Sequence, residues 1–295
     1  MKESLQATVD RLCRPLRPLP TGMAARPRRM EGVRAVLFDI YGTLLISGSG
    51  DVGTAMQQSR DDALLAALDS AGITVGAERG ADLSARDLLD IIKGRQESAR
   101  EAGKNCPEVD IRAIWKEFLL EKNLLEDPSL IDETSIEKLG LEYECRVNPV
   151  WPMPGWHECL QGLEGFRLGI VSNAQFYTAI IMSRLLPGFP DGLGFDTQAI
   201  AYSYEILQSK PAPAIFEKPL AALDHIYGIS PAETVYIGND MLNDVWTASR
   251  FGIRTILFAG DSRSLRLRED DERCVNLSPD AVVTDLAQIP QLLSV

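Results

Sequence analysis

The stretch Val33-Arg34-Ala35-Val36-Leu37-Phe38-Asp39-Ile40-Tyr41-Gly42-Thr43-Leu44 decides how the rest of the chain is read. Its first six residues are short, apolar and partly β-branched, which predicts a buried strand. The strand stops at Asp39, and Gly42-Thr43 follow as a turn signal. An aspartate at the carboxyl end of a strand sits where open α/β sheets bind their ligands. A plain turn explains one such segment equally well, so the weight falls on what the remaining sequence adds.

Working outward, Ser47-Gly48-Ser49-Gly50 reads as a linker or hinge. From about Val52 to Val147 the character is helical. Residues 63–68 are helix formers, and Ile111, Ile114, Trp115 and Phe118 fall at helical spacing on one apolar face. After Pro152-Met153-Pro154-Gly155 strands return at residues 166–171, 234–237, 254–258 and 281–284, with helical segments at 213–227 and 244–251. Strands alternating with helices predict a parallel sheet covered on both faces. The expected fold class is α/β, a Rossmann-like parallel sheet core with an inserted α-helical domain. Its parts are an N-terminal extension at 1–30, a core of 31–46 and 150–295, and the helical insert at 47–149. In the extension, Leu5, Val9 and Leu12 suggest an amphipathic helix ahead of a Pro-rich linker.

The chain has 295 residues, 45% of them hydrophobic and 24% charged, the profile of a soluble globular protein with a sizeable core. A net charge of -12 argues against nucleic acid or an anionic membrane surface as a partner. A small anionic substrate would need local cations. Cys13, Cys106, Cys145, Cys159 and Cys274 are scattered, odd in number and lack a CxxC pair. They read as reduced thiols of a cytoplasmic protein. No apolar run approaches the roughly 20 residues that span a bilayer, and the Arg-rich first 30 residues lack the apolar stretch of a secretory signal.

Three more segments end predicted strands or fix a turn. Ile170-Val171-Ser172-Asn173 offers a hydroxyl and an amide that can bind an anion or cap a helix. In Ser209-Lys210-Pro211-Ala212-Pro213 two prolines hold the backbone around one lysine. Gly238-Asn239-Asp240-Met241-Leu242-Asn243-Asp244 places two acids four apart after a strand, where they can hold a hard cation or cap a helix.

Singly each is ordinary; their joint order resembles the four motifs of the haloacid dehalogenase (HAD) superfamily. The resemblance covers residues 33–46 and about 150–290, and the helical insert matches the cap that follows the first motif. It implies a hydrolase in which Asp39 is the covalent nucleophile. Ser172, Asn173 and Thr43 would bind the substrate's anionic oxygens, and Lys210 would steady Asp39 and the developing charge. It further implies Mg²⁺ on Asp39, the backbone carbonyl of Tyr41, and Asp240 or Asp244, with Asp240 preferred for direct contact. The cap would select the substrate, and a homodimer is compatible with this reading.

Tyr41 departs from the pattern of the family's phosphatases, which carry a second aspartate there to protonate the leaving alkoxide. Tyrosine at this place resembles the superfamily's dehalogenases, whose halide leaves without a proton. Asp240 and Asp244 point the other way, because dehalogenases need no metal. The leading expectation is a Mg²⁺-dependent phosphatase of small phosphorylated metabolites. The alternatives are a metal-independent 2-haloacid dehalogenase and a weakly active binding or regulatory protein. Among the insert's residues Arg95, Arg100, Lys104 and Trp115 are candidates to face the cleft. The basic run from Asp261 to Arg268 reads first as a solvated loop.

Overall fold

A computed structural model of the protein describes residues 4–49, 57–75, 83–124 and 132–294. Gly50 of the expected hinge and Val52, where the helical block was expected to begin, lie outside the described residues. Six parallel strands form the main sheet: β1 (Ala35–Phe38), β4 (Arg167–Ser172), β5 (Phe195–Tyr202), β6 (Thr234–Gly238), β7 (Arg254–Phe258) and β8 (Ala281–Val283). Their order is β5-β4-β1-β6-β7-β8. The chain builds outward on one side of β1, then returns to build on the other. The crevice at which an open α/β sheet takes its ligand therefore falls at the carboxyl end of β1. Asp39 is the next residue.

Register brings the other segments alongside. Phe38 pairs with Ile170 on β4 and with Ile237 on β6. Ser172 and Gly238 thus end their strands within two residues of the level of Asp39, whose amide donates to the Ile237 carbonyl at 2.9 Å. All four residues of β1 are buried, as a strand covered on both faces requires. Val36 and Phe38 join one apolar cluster, Ala35 and Leu37 the other.

β5 was not foreseen. Asp196, Thr197 and Gln198 interrupt its apolar run, and an edge strand tolerates them because its outer side meets solvent. Its pairing with β4 shifts register around Gly169, where a Cβ would stand 2.5 Å from the Ala199 carbonyl oxygen. Also unforeseen is a short antiparallel ribbon, β2 (Leu45–Ser47) with β3 (Val150–Pro152). It joins the two chain crossings into the helical block. Ser47 Oγ donates to Asn148 Oδ1 at 2.7 Å and Gly48 N to the Pro149 carbonyl at 2.8 Å.

The helical block contains α2 (Gln57–Ser70), α3 (Ala85–Glu101), α4 (Ile111–Glu121) and α5 (Glu133–Val147). Ser84, Asp110 and Asp132 cap α3, α4 and α5 with side-chain acceptors. Leu64, Leu68, Leu88, Trp115, Phe118 and Ile136 belong to a cluster drawn from residues 64–139, separate from the sheet's. Ahead of the sheet, α1 (Leu5–Leu12) packs on α5 and on α7 (Tyr177–Leu185), which follows α6 (Trp156–Gly162). Thr8 donates to the buried carboxylate of Glu142 at 3.1 Å, and Arg11 pairs with it. Cys13 and Cys145, far apart in sequence, bring their sulfurs to 3.9 Å. Beyond β5 the chain forms α8 (Ala214–Tyr227), in line with the expected helix at 213–227. The helix expected at 244–251 starts earlier, as a π-helix at Met241–Trp246 that runs into a short α-turn at Thr247–Ser249. Among the described residues no helix is long and apolar enough to cross a membrane.

Candidate active site

Asp39 is 6% exposed and lines a cavity of about 480 Å³ between the sheet and the helical block. Its Oδ1 accepts from Lys210 Nζ at 2.8 Å and from Ser172 Oγ at 3.0 Å. Its Oδ2 accepts nothing from the described residues. A carboxylate held by one oxygen with the other open to a cavity has the form of a positioned nucleophile.

Lys210 is the hub. Its ammonium also donates toward Asp244 Oδ1 at 2.6 Å, Tyr236 Oη at 2.9 Å and the Val171 carbonyl at 3.2 Å. Burial works against this charge, but Asp244 and Asp39 outweigh it and push the lysine up to about 12. Burial also raises the Asp244 carboxyl, to about 6, against the pull of Lys210 and with Asp39 and Asp240 adding to the rise. At neutral pH Asp244 is thus the anionic partner of a charged Lys210. Asn173 fixes the lysine's backbone: Lys210 N donates to Asn173 Oδ1 at 2.7 Å, and Asn173 Nδ2 to the Lys210 carbonyl at 3.3 Å.

The two acids of the fourth segment do different work. Asp240 Oδ1 accepts from the Leu242 and Asn243 amides at 2.8 and 3.1 Å, capping the π-helix. Its Oδ2 takes Arg268 Nη2 at 2.6 Å and Asn243 Nδ2 at 3.1 Å. Asp244 Oδ2 accepts from the Asp240 amide at 2.9 Å. Each acid therefore already has its own cation. Asn239 is the residue that turns toward the first motif: its Nδ2 donates to the Tyr41 carbonyl at 3.3 Å and the Ser264 carbonyl at 3.0 Å. Gly42 makes room for it. With φ +83°, Gly42 would place a Cβ 2.0 Å from Asn239 Nδ2.

Among the described residues no three His, Cys, Asp or Glu side chains group as a metal cage. Oxygen-bearing groups of the kind Mg²⁺ accepts line the cavity at Asp39, Tyr41 and Asn239. Mg²⁺ usually keeps several waters and needs only one or two carboxylates. These groups suit Mg²⁺; Asp240, expected to make direct contact, is paired with Arg268 in this structure.

Tyr41 has its hydroxyl 2.9 Å from Thr178 Oγ1. Burial, then the charge of Glu144, raise its phenol well above the usual tyrosine value. Glu144, on α5, accepts from Tyr177 Oη at 2.9 Å and Asn148 Nδ2 at 3.0 Å, and burial raises its carboxyl. Thr43 stands apart: it is fully buried, does not line the cavity, and its Oγ1 has no partner among the described residues. Ser172 touches Asp39 but does not line the cavity. Arg95, Arg100 and Lys104 are exposed, Arg95 pairing with Glu117, whereas Trp115 lines the cavity.

Sequence reasoning passed over several residues. Arg60, Glu144 and Tyr177 line the cavity, as do Ser264, Arg266 and Arg268. The last three lie in the run expected as a solvated loop. It lies along the fourth segment instead: Arg266 N donates to the Asn239 carbonyl at 2.9 Å and Met241 N to the Arg266 carbonyl at 2.8 Å. A basic run in an acidic chain was the available signal.

A family model for haloacid dehalogenase-like hydrolases matches residues 33–252. The chain is 26% identical over 280 residues to the phospholysine phosphohistidine inorganic pyrophosphate phosphatase of Xenopus laevis, across 89% of this chain and 95% of that protein. It is 25% identical to the Homo sapiens protein of the same name, across 92% and 98%. Among solved structures, a 2-haloacid dehalogenase from Pseudomonas syringae pv. tomato DC3000 has a TM-score of 0.57 at 20% identity, covering 88% of this chain and 97% of that one. A HAD phosphatase from Thermococcus onnurineus has 0.50 at 19% identity, with coverage of 88% and 97%. At these identities the structural likeness shows the fold alone.

Proposed function

The chain belongs to the haloacid dehalogenase-like hydrolase family, and within it we propose that the protein is a phosphatase of small phosphorylated metabolites with Asp39 as covalent nucleophile. The observation that carries this reading is the buried Asp39–Lys210–Asp244 chain, which holds one oxygen of Asp39 and leaves the other open to the cavity. Phosphatase-named relatives that match nine-tenths of the chain support phosphorus, rather than carbon, as the atom attacked.

Asp39 Oδ2 forms the bond to phosphorus as the bond to the leaving group breaks, giving an aspartyl phosphate. Lys210 and Ser172 keep Oδ1 out of the attack, and the ammonium offsets charge building beside it. Water then forms a new bond to phosphorus, the Oδ2–phosphorus bond breaks, and its electron pair returns to Asp39. Mg²⁺ on Asp39, the Tyr41 carbonyl and Asn239 would screen the repulsion between the carboxylate and a phosphate dianion. Asp240 joins that set only by giving up Arg268.

Tyr41 stands where the family's phosphatases carry an aspartic acid, and its phenol, raised by burial and engaged with Thr178, is a far weaker acid than a carboxyl. Lacking a general acid costs about 10²–10⁴ in rate where an alkoxide must leave. The favoured substrates are therefore those whose leaving group departs unaided: the phosphate of a pyrophosphate, the carboxylate of an acyl phosphate, the amine of a phosphoramidate already protonated on nitrogen. The names of the Xenopus and human relatives describe substrates of this kind. The five free cysteines support a cytoplasmic setting.

Phosphate release from acetyl phosphate, pyrophosphate and p-nitrophenyl phosphate tests the reading. We expect release with Mg²⁺, loss with EDTA, and loss in Asp39→Asn. No release from any of the three rejects it. A metal-independent 2-haloacid dehalogenase is the second reading, favoured by Tyr41 and by the ion pair that engages Asp240. Chloride release from 2-chloropropionate, unaffected by EDTA, selects that one.

A further inference from the structure

Hydrolysis of a generic phosphate leaves one feature of the helical block unused. Arg60 on α2 is 6% exposed and lines the cavity, yet its Nε and Nη2 have no hydrogen-bond partner among the described residues. Trp115 on α4 lines the same cavity, is fully buried, and its Nε1 is likewise unpartnered. Tyr143 stands with them: its ring meets Trp115 edge-on at 5.3 Å, and burial raises its phenol while the charge of Arg60 pulls it down.

The nearby carboxylates are otherwise engaged. Asp61 accepts from the Ala85 amide at 2.7 Å and from Ser84 Oγ at 3.2 Å, at the head of α3. Glu144 serves Tyr177 and Asn148. A buried guanidinium whose Nε and Nη2 have no partner among the described residues is costly to the fold, and its place on the cavity suits an anion that enters there. The planar fork of arginine matches a carboxylate or phosphate by two parallel hydrogen bonds.

We propose that Arg60, with the Trp115 N–H, binds a second anionic group on the substrate, a carboxylate or phosphate remote from the phosphoryl group that Asp39 attacks. The inference rests on the phosphatase reading and names its substrate class: small metabolites with two anionic ends. Asp39 and Lys210 line the cavity from the sheet, whereas Arg60, Trp115 and Tyr143 line it from the helical block. The second group therefore meets a cation where the helical block closes the cavity.

Calorimetric titration of the full chain with Mg²⁺, using propylphosphonate, 3-phosphonopropionate and ethylene-1,2-bisphosphonate, tests this without turnover. We expect at least one of the two probes with an anionic tail to bind about 10- to 100-fold more tightly than propylphosphonate. The arm that wins distinguishes carboxylate from phosphate. Arg60→Met should cut that ratio to about 3-fold or less, Arg60→Lys should keep part of it, and Trp115→Phe should lower it modestly. Equal binding of all three probes by the wild type overturns the inference, as does a preference that survives Arg60→Met. Should Arg60→Met fail to fold, an undiminished ratio in both Arg60→Lys and Trp115→Phe overturns it too. Failure of the wild type to bind any phosphonate rejects the phosphatase reading itself, a result distinct from binding without discrimination.

Discussion

Replacing Lys210 by methionine removes the one cation between two buried carboxylates while keeping most of the side chain's volume. Asp39 and Asp244 are 6% and 1% exposed, and Lys210 reaches them at 2.8 and 2.6 Å. Removing one partner of a buried ion pair costs about 3–5 kcal/mol, and here two anions lose the same partner. The cost should depend on pH in a defined direction. Asp244 is pushed up to about 6 even with Lys210 present; without it, the value rises further. A carboxyl whose folded value lies above its unfolded one binds extra protons when folded, so stability falls as pH rises from about 4 through the raised value. Each added unit is worth about 1.4 kcal/mol. Lys210→Met should therefore destabilise the protein by about 3–5 kcal/mol at pH 8 and by at least about 1 kcal/mol less at pH 5. Urea unfolding at both pH values, followed by circular dichroism, measures this, and phosphate release should fall by about 10²–10³ in parallel. Asp244→Asn, which keeps the Lys210–Asp39 pair, should cost less, about 1–3 kcal/mol. A cost below about 1 kcal/mol at pH 8, or equal costs at the two pH values, refutes the account of Lys210 as the hub.

Three further changes probe other parts of the site. Asn239→Asp exchanges an amide donor for a carboxylate facing the Tyr41 and Ser264 carbonyls; its melting temperature should drop in EDTA and recover with Mg²⁺, and no Mg²⁺-dependent recovery argues against a metal at this position. Tyr41→Asp places a carboxyl where the leaving group needs a proton, so the ratio of kcat/KM for β-glycerophosphate to that for p-nitrophenyl phosphate should rise at least about 10-fold. An unchanged ratio removes the explanation of substrate class by leaving group. Gly42→Ala combines a positive φ with a Cβ 2.0 Å from Asn239 Nδ2; a loss of about 2–4 kcal/mol in chemical unfolding is expected, and a loss under 1 kcal/mol shows that Asn239 yields freely.

The central strand and three of the motif segments were legible because each is a short apolar run stopped by polar residues, the Lys210 segment because two prolines flank one lysine, and parallel register does the rest. Once Phe38 lies opposite Ile170 and Ile237, Asp39, Ser172 and the Gly238 turn have nowhere else to meet. β5 was hidden by its Asp196-Thr197-Gln198 interruption, and the β2–β3 ribbon is too short to show a period. The partner of Asp240 was hidden for a different reason. Arg268 is 28 residues away and belongs to a basic run, and sequence does not say which arginine of a run turns inward. Arg60 has the same difficulty: between polar neighbours on α2 it reads as one more solvated charge.

Counting acids in Gly238-Asn239-Asp240 cannot say which residue meets the first motif, but strand geometry can. Side chains alternate across a sheet, and Leu37 pairs with Tyr236, both in the same apolar cluster. Continuing that face by two residues on each strand places Asp39 beside Gly238. The missing side chain at 238 matters there, because a Cβ would stand 2.3 Å from the Asp244 carboxyl. Glycine leaves the space into which Asp244 folds back from the π-helix, beside Lys210 and Tyr236, on the face that carries Asp39. The next two residues then part company, Asn239 toward the Tyr41 carbonyl and Asp240 toward Arg268. Asp244 thus serves Lys210, Asp240 serves the π-helix and the arginine loop, and the neutral Asn239 faces the first motif. An acidic segment can in this way supply little negative charge where a phosphate dianion arrives, because each of its carboxylates is matched by a cation of the chain's own.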